Sequence, residues 1–457
     1  MFGSSLADGY DLVVVGAGTG ANGVARACAH EGLKVATVDS LPYGGTCALR
    51  GCDPKKMLVG VTESLDWAIR VSDKGLRAGP MGIDWPELIA FKRTFTDPMP
   101  ARLERGFQEA GIETLHGQAT FVGPRELRVG DRALSARHIH IATGARPATL
   151  GIPGEELVMS STGFLELPEL PRRVAFIGGG FISFEFAHVA RRAGAAEVTI
   201  LHRGTRPLVR FDPDLVDLQV ARTRELGIDV RLESCVLGVD QQSDGLRVTY
   251  EHHAGSGELE CDLVVHGAGR VPNLEMLDLD AGGVEAGPRG ISVLPSMRSA
   301  SNPAVFAAGD CADTQAPNLT PVASYEGRIA TKNILAGADV RQAEYPPIPS
   351  AVFTIPPIAA VGLLEEEARA QGLDVDARFR QTGTWYSSLR VAEPHSAFKV
   401  LVEHETGRIV GAHVMGPGAE EQINLFAMAM GAGLTADQVK GVMFAYPSYA
   451  SDIASMV

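Results

Sequence analysis

Two glycine turns, each set between a strand-like and a helix-like run, constrain this chain more than any other feature. The first is Gly16-Ala17-Gly18-Thr19-Gly20-Ala21. An apolar run over residues 10–15 precedes it, an alanine-rich helical pattern follows to about residue 31, and a second apolar run ends at Asp39. G-x-G-x-x-G/A in that strand–turn–helix–strand setting is the fingerprint of a dinucleotide-binding βαβ unit. Gly16 permits the tight turn, Gly18 lets the backbone approach a pyrophosphate, and Ala21 keeps helix and strand close. The helix start supplies free N–H groups and the positive end of its dipole, and Asp39 is placed to accept hydrogen bonds from a ribose diol. The pattern recurs as Gly178-Gly179-Gly180-Phe181-Ile182-Ser183, between a strand over 174–177 and a helix through residue 192, with another strand over 197–201. Two such units imply two dinucleotides. The second ends in His202-Arg203, with Arg206 and Arg210 close behind and no carboxylate. A guanidinium grips a 2′-phosphate that an acid would repel, so this site favours NADPH over NADH.

At 457 residues the chain exceeds one hydrophobic core, and two to four domains are expected. A net charge of −14 argues against a nucleic-acid groove, which needs a basic stripe. No apolar run approaches the roughly 18 residues that span a membrane, and residues 1–11 carry no basic-then-apolar signal. The expected setting is the cytoplasm. Six cysteines are too few for a secreted disulfide scaffold. Cys28, Cys235, Cys261 and Cys311 are dispersed and read as small core residues.

Cys47 and Cys52 are different. They form a C-x4-C pair in Gly44-Gly45-Thr46-Cys47-Ala48-Leu49-Arg50-Gly51-Cys52-Asp53-Pro54-Lys55-Lys56, just after the first βαβ unit. A dithiol in a glycine-rich turn beside a bound dinucleotide is suited to accept electrons. The same spacing could serve a structural disulfide or half of a zinc site, but no second cysteine or histidine pair with ligand spacing accompanies it, and no metal site is expected. From residue 345 onward the pattern changes. Residues 351–354, 378–385, 397–403 and 408–415 read as strands, the last two joined by the Glu405-Thr406-Gly407 turn. A helix over 419–431 carries Ile423, Phe426, Ala427 and Met430 on one face.

These motifs resemble the FAD-dependent pyridine nucleotide–disulfide oxidoreductases, the group of glutathione reductase, dihydrolipoamide dehydrogenase and mercuric reductase. The likeness extends to Ala142-Thr143-Gly144-Ala145-Arg146-Pro147, Gly267-Ala268-Gly269-Arg270-Val271-Pro272-Asn273, Val305-Phe306-Ala307-Ala308-Gly309-Asp310, Leu319-Thr320-Pro321-Val322-Ala323 and Val352-Phe353-Thr354-Ile355-Pro356-Pro357. It implies an α/β fold of two Rossmann-like dinucleotide-binding domains, for FAD and NAD(P), plus a C-terminal α+β dimerisation domain. The expected boundaries are 1–149 and 272–344 for the FAD domain, 150–271 for the NAD(P) domain and 345–457 for dimerisation. FAD would be held by Gly16, Gly18, Thr19, Gly20, Ala21, Asp39, Gly45, Thr46, Ala119, Thr143, Gly144, Gly309, Asp310, Pro321, Val322 and Ala323. The nicotinamide dinucleotide would be held by Gly178, Gly180, Ile182, His202, Arg203 and Gly269.

The resemblance also assigns roles. Cys52 would lie against the flavin as a thiolate, and Cys47 would face substrate. Lys55 or Lys56 would pair with Glu185 near the flavin, and spacing alone does not choose between the lysines. Asp310 would hydrogen-bond the ribityl or ribose chain, while the helix starting near Val322 and Ala323 stabilises negative charge on the reduced ring. Electrons would then pass from NADPH through FAD to the Cys47–Cys52 disulfide and on to a small-molecule disulfide. The protein would be a homodimer whose site is completed by the partner's C-terminal segment.

That segment departs from the family pattern. Where disulfide-reducing members carry His-Pro-Thr, with a glutamate five residues after the histidine, this chain has Tyr446-Pro447-Ser448, with Ser451 in the glutamate's place and Asp452 beside it. A phenol has a pKa of about 10 and an imidazole about 6.5, so Tyr446 shuttles a proton poorly near neutral pH. Leu49 and Arg50 replace the usual Asn-Val, and Asp53 follows Cys52, where an acid would raise the thiol pKa unless turned away or paired with Arg50. No cysteine pair such as mercuric reductases use stands near the last residue. The leading expectation is a glutathione reductase-like enzyme. The alternative is an NADPH-dependent reductase of a non-disulfide acceptor such as a quinone or metal ion, and a flavin-bearing scaffold is the non-enzymatic reading.

Overall fold

The computed structural model describes residues 8–77, 79–253 and 255–457. They form two compact units. One contains the described part of Met1–Lys55 with Phe91–Ala148 and Arg270–Tyr345, and the other contains Lys56–Ala90, Thr149–Gly269 and Pro346–Val457.

In the first unit Glu113–His116, Val35–Asp39, Asp8–Val15 and Arg132–Ile141 lie side by side in parallel, and Val305–Ala307 adds in parallel beyond the last. The earlier half of Arg132–Ile141 pairs antiparallel with Glu126–Val129, which pairs in turn with Ala119–Gly123. Leu12, Val13 and Val14 are all fully buried, because a parallel strand covered on both faces needs a continuous apolar run rather than alternation. The helix Thr19–His30 buries Val24, Ala25 and Cys28 and packs on the helix Thr320–Ala336. Gly327 makes that approach possible, since a Cβ there would stand 3.3 Å from the Gly20 carbonyl. The same carbonyl accepts from Nε2 of His140 at 2.9 Å. Burial pulls the His140 pKa down to about 4, so it sits there as a neutral donor.

In the second unit a parallel sheet runs Ile228–Arg231, Glu197–Leu201, Arg173–Ile177, Leu263–His266. An antiparallel meander of Cys235–Gln242, Gly245–His252 and Gly255–Cys261 accompanies it. The helix Phe181–Arg192 is covered almost all round, with every residue from Ser183 to Ala190 buried. A five-stranded antiparallel sheet follows, ordered Ser350–Val352, Ile358–Gly362, Ile409–Met415, Ala397–Glu403, Val375–Gln381. The helix Ala419–Gly431 buries Ile423 and Phe426 beneath it; Gln422 and Ala429 share that buried face, while Ala427 and Met430 are only half-buried.

One expectation shifts. The strand expected over 378–385 is Val375–Gln381, followed by a short helix Tyr386–Leu389. Pairing ends at Gln381 because its partner strand begins at Ala397. The chain then turns so tightly that a Cβ on Gly383 would stand 2.0 Å from the Pro394 carbonyl. Packing divides the described residues into the two units given above. Residues 56–90 go with the second unit, where Leu58, Val59, Trp85, Leu88 and Ile89 share one core with Phe164, Phe176 and Phe186, and that core continues to Val352, Ile358 and Met415. Each fully buried side chain of this size contributes about 1.5–3 kcal/mol, which outweighs proximity in sequence.

Candidate active site

The site starts from the first glycine turn. Gly16 has φ +112°, and a Cβ there would stand 2.3 Å from the Ala142 carbonyl. Gly45, at φ +69°, opens the short helix Gly45–Arg50 and lies directly on Gly18, where a Cβ would meet the Gly18 Cα at 2.5 Å. The redox loop and the fingerprint turn are therefore pressed together backbone to backbone.

Gly51 separates the short helix from the 19-residue helix Cys52–Arg70. Cys52 is thus the first residue of a long helix, where the dipole favours a thiolate. Both cysteines are free thiols and lie within hydrogen-bonding reach of each other. The Thr320 hydroxyl, at the start of the helix Thr320–Ala336, lies 3.3 Å from Cys47 Sγ and 3.5 Å from Cys52 Sγ. The two thiols are driven apart in acidity. The Cys52 pKa falls to about 6, chiefly because the Cys47 S–H donates to it, with help from Thr320 and the Lys55 charge against burial and Asp53. Cys47 goes up, held as the proton-bearing partner of a thiolate and further raised by burial. Asp53 is exposed and opposes the thiolate only weakly.

The lysines, equivalent by spacing, separate here. Lys55 is buried and its charge reaches Cys52. Lys56 turns elsewhere, 3.5 Å from Glu420 and over the Phe353 ring. Glu185 is buried, and its Oε1 accepts from the Phe353 N–H at 2.8 Å.

Around the same turn the groups fit a flavin dinucleotide. The helix Thr19–His30 has no side-chain cap, leaving its N-terminal N–H groups for a ligand. Thr143 Oγ1 is buried without a protein partner among the described residues. Asp39 accepts from the N–H groups of Ala17 and Leu41, both at 2.9 Å, yet burial raises its pKa. Asp310 is likewise raised by burial, with Arg270 partly offsetting this. Gly309, at φ +76°, donates its N–H to Glu326 at 2.7 Å, and a Cβ on it would come 3.1 Å from that of Ala323. Val322 and Ala323 are buried in the first turns of the helix behind Pro321. Gly144 takes a positive φ, and Thr46 is exposed beside Cys47. Ala119 stands in the apolar core with Phe121 and Leu127 and brings no side-chain polar group to the site.

The second turn repeats the device. A Cβ on Gly178 would meet the Gly267 carbonyl at 2.4 Å, and Gly180 heads the helix Phe181–Arg192, which has no side-chain cap. Ile182 is half-buried and Gly269 takes φ +114°. The His202 ring lies on Gly179 with Nε2 donating to the Arg206 carbonyl at 3.0 Å. That fixes the ring as a wall, and burial keeps it neutral. Arg206 leans toward Glu366 at 3.5 Å. Arg203 is exposed and has no carboxylate partner among the described residues. This arrangement fits a dinucleotide.

In the second unit Tyr446 is 81% exposed. Ser451 does not replace a glutamate's reach. It forms a reciprocal cap with Ser448, each side chain taking the other's backbone N–H at 3.3 Å. Asp452 accepts from the Ser387 hydroxyl. From sequence alone Thr320, Arg270 and Arg50 have no assigned place at the flavin or the thiols, although the first two stand inside family-like motifs and Arg50 enters only as a departure beside Asp53. Among the described residues no group of three or more His, Cys, Asp or Glu could hold a metal ion, and no helix is long and apolar enough to cross a membrane.

Comparison with known proteins agrees with this geometry. The family model described as pyridine nucleotide-disulphide oxidoreductase matches residues 10–327, and that of the group's dimerisation domain matches 348–457. The chain is 32% identical to a glutathione reductase of Burkholderia cepacia over 447 residues, 98% of each chain. It is 31% identical to a mercuric reductase of Staphylococcus aureus over 435 residues, 94% of this chain and 78% of that one. Among solved structures it superposes on the Cu(II) complex of the HOCl-induced flavoprotein disulfide reductase RclA from Escherichia coli with a TM-score of 0.87 and 26% identity, covering 97% of this chain and 98% of that one. Matched along nearly its whole length, the chain belongs to the pyridine nucleotide-disulphide oxidoreductase family of FAD-dependent enzymes.

Proposed function

We propose that the protein uses NADPH to reduce a small disulfide through the Cys47–Cys52 pair. The carrying observation is the dithiol itself, two free thiols within hydrogen-bonding reach of each other with the Thr320 hydroxyl 3.3 and 3.5 Å from their sulfurs. This contact favours a thiolate at Cys52 and keeps the proton on Cys47. The first glycine turn, Asp39 and Asp310 would hold FAD, which when bound would supply the two-electron exchange with the nicotinamide. The chain's own residues do the rest. Once Cys47 loses its proton, its Sγ attacks one substrate sulfur, and the first thiol departs with a proton. Cys52 Sγ, as the thiolate, then attacks Cys47 Sγ and breaks the mixed disulfide, and the second thiolate leaves and takes its proton from solvent. The Cys47–Cys52 disulfide is left for re-reduction by two electrons from NADPH. Lys55 and Thr320 hold the Cys52 charge between turnovers. The matched dimerisation region supports a homodimer in which the partner's C-terminal segment serves this proton traffic.

Tyr446 favours a second reading, in which the acceptor is a metal ion or quinone whose reduction needs no proton for a leaving sulfur. The mercuric reductase relative and the Cu(II)-bound structural neighbour make that acceptor class worth testing. NADPH oxidation by the purified protein against glutathione disulfide, other low-molecular-weight disulfides, quinones, mercuric ion and cupric ion distinguishes the two. Disulfide turnover that vanishes in Cys47→Ser supports the first reading, and acceptor turnover unchanged in Cys47→Ser overturns it. Tyr446→His should raise disulfide turnover by about 10²-fold or more if a general acid is wanting there. A fall instead makes the phenol the acid of another acceptor's chemistry.

The nucleotide preference has its own test. Arg203→Ala should lower kcat/KM for NADPH by about ten- to a hundredfold, the worth of a charge-assisted hydrogen bond, while leaving NADH kinetics nearly unchanged. A wild-type preference for NADH would refute the role given to Arg203.

A further inference from the structure

We propose that Arg50, between the two redox cysteines, grips the FAD diphosphate and so ties the dithiol loop to the cofactor's phosphates. The inference rests on the flavin site described above and adds a residue to it. Arg50 is the last residue of the helix Gly45–Arg50, whose first residue lies on Gly18 of the fingerprint turn. A rigid helix of six residues thus links the pyrophosphate-facing glycine to this guanidinium, and both cysteines flank it.

Its electrostatic surroundings point the same way. The guanidinium is half-buried and has no hydrogen bond or ion pair among the described residues. Burial disfavours its charge, and Asp39 restores only part of what is lost. Its charge also reaches Arg270, which lies in turn within reach of Asp310. Asp39 and Asp310 are the groups assigned to the two sugar-like parts of FAD, and the diphosphate joins those parts. Arg50 lies within reach of Asp39 and of the Arg270 beside Asp310, and two cations there suit a doubly anionic linker. A planar guanidinium takes two phosphate oxygens in parallel, a geometry that lysine does not reproduce.

The test is flavin affinity, measured by fluorescence on protein stripped of its flavin, for FAD and for riboflavin, which lacks the diphosphate. Arg50→Met should weaken FAD binding by about ten- to a hundredfold, with riboflavin binding unchanged. Arg50→Lys should recover part of the loss, and the salt dependence of FAD binding should flatten in Arg50→Met. Equal FAD affinity in wild type and Arg50→Met overturns the proposal, as does an equal loss for riboflavin. Should Arg50→Met not fold, phenylglyoxal labelling of the wild-type protein decides. Arg50 should be shielded in the FAD-loaded protein and labelled after stripping; equal labelling in both overturns it. A wild-type protein that binds neither flavin would instead refute the flavin site itself.

Discussion

Replacing Cys52 by serine is expected to lower disulfide turnover on the order of 10³-fold or more while leaving flavin bound. The magnitude follows from the pair acting as a unit. Cys47 can open the substrate disulfide, but without Cys52 the resulting mixed disulfide has no internal thiolate to resolve it. Flavin binding should persist because the fingerprint turn, Asp39 and Asp310 contribute nothing through this sulfur. The same geometry predicts a titration. With a Cys52 pKa of about 6, against about 8.5 for a free cysteine, one thiolate per chain should already be present at neutral pH. It should disappear as the pH falls through that value. Thiolate ultraviolet absorbance of the reduced protein, wild type against Cys52→Ser, measures it. Lys55→Met should move the midpoint upward, since the Lys55 charge helps hold the thiolate. A midpoint near 8.5 in the wild type would refute the assigned polarity of the pair.

Parts of this site are legible from sequence because their physics is local. Gly16, Gly18, Gly178 and Gly180 sit in turns whose function depends on missing side chains, and the strand–turn–helix context is written beside them. The helix over 419–431 announces itself by its apolar spacing. Lys55 and Lys56 show where locality ends. They are neighbours at the start of one helix, and only tertiary packing buries the first and sends the second toward Glu420. Thr320 reaches the cysteines from 273 residues beyond Cys47, so no spacing near Cys47 could reveal it. Residues 56–90 follow the redox cysteines closely in sequence, yet their apolar face is claimed by Phe164, Phe176 and Phe186. Arg50 was visible only as a departure from a pattern; its neighbours Asp39 and Arg270 give it a meaning.

The second large effect is on stability. Asp66→Asn should destabilise the protein by about 3–5 kcal/mol, the range for breaking a buried ion pair by removing one partner. Asp66 lies on the helix Cys52–Arg70 and is 7% exposed at the side chain. Its carboxylate accepts from Arg192 at 2.7 and 2.9 Å and from Arg70 at 2.7 Å, with Arg222 at 3.6 Å. Glu393, with a fully buried side chain, faces Arg70 at 3.6 Å. Three guanidiniums thus meet two carboxylates, and the substitution leaves three against one. His188 cannot compensate. It is fully buried, burial and the adjacent Arg192 and Arg222 hold its pKa far down, and its Nδ1 accepts the Ile355 N–H at 3.1 Å. Burial alone would raise the Asp66 pKa, but Arg192 and Arg70 more than offset it and hold the carboxyl below its ordinary range. Its contribution is therefore complete above the unfolded carboxylate pKa of about 3.9, and fades as the pH falls through the lower folded value. Urea unfolding near neutral pH should show the full loss in Asp66→Asn, and the gap from wild type should narrow toward pH 3. A loss under about 1 kcal/mol at neutral pH would mean that water, rather than Asp66, satisfies these arginines.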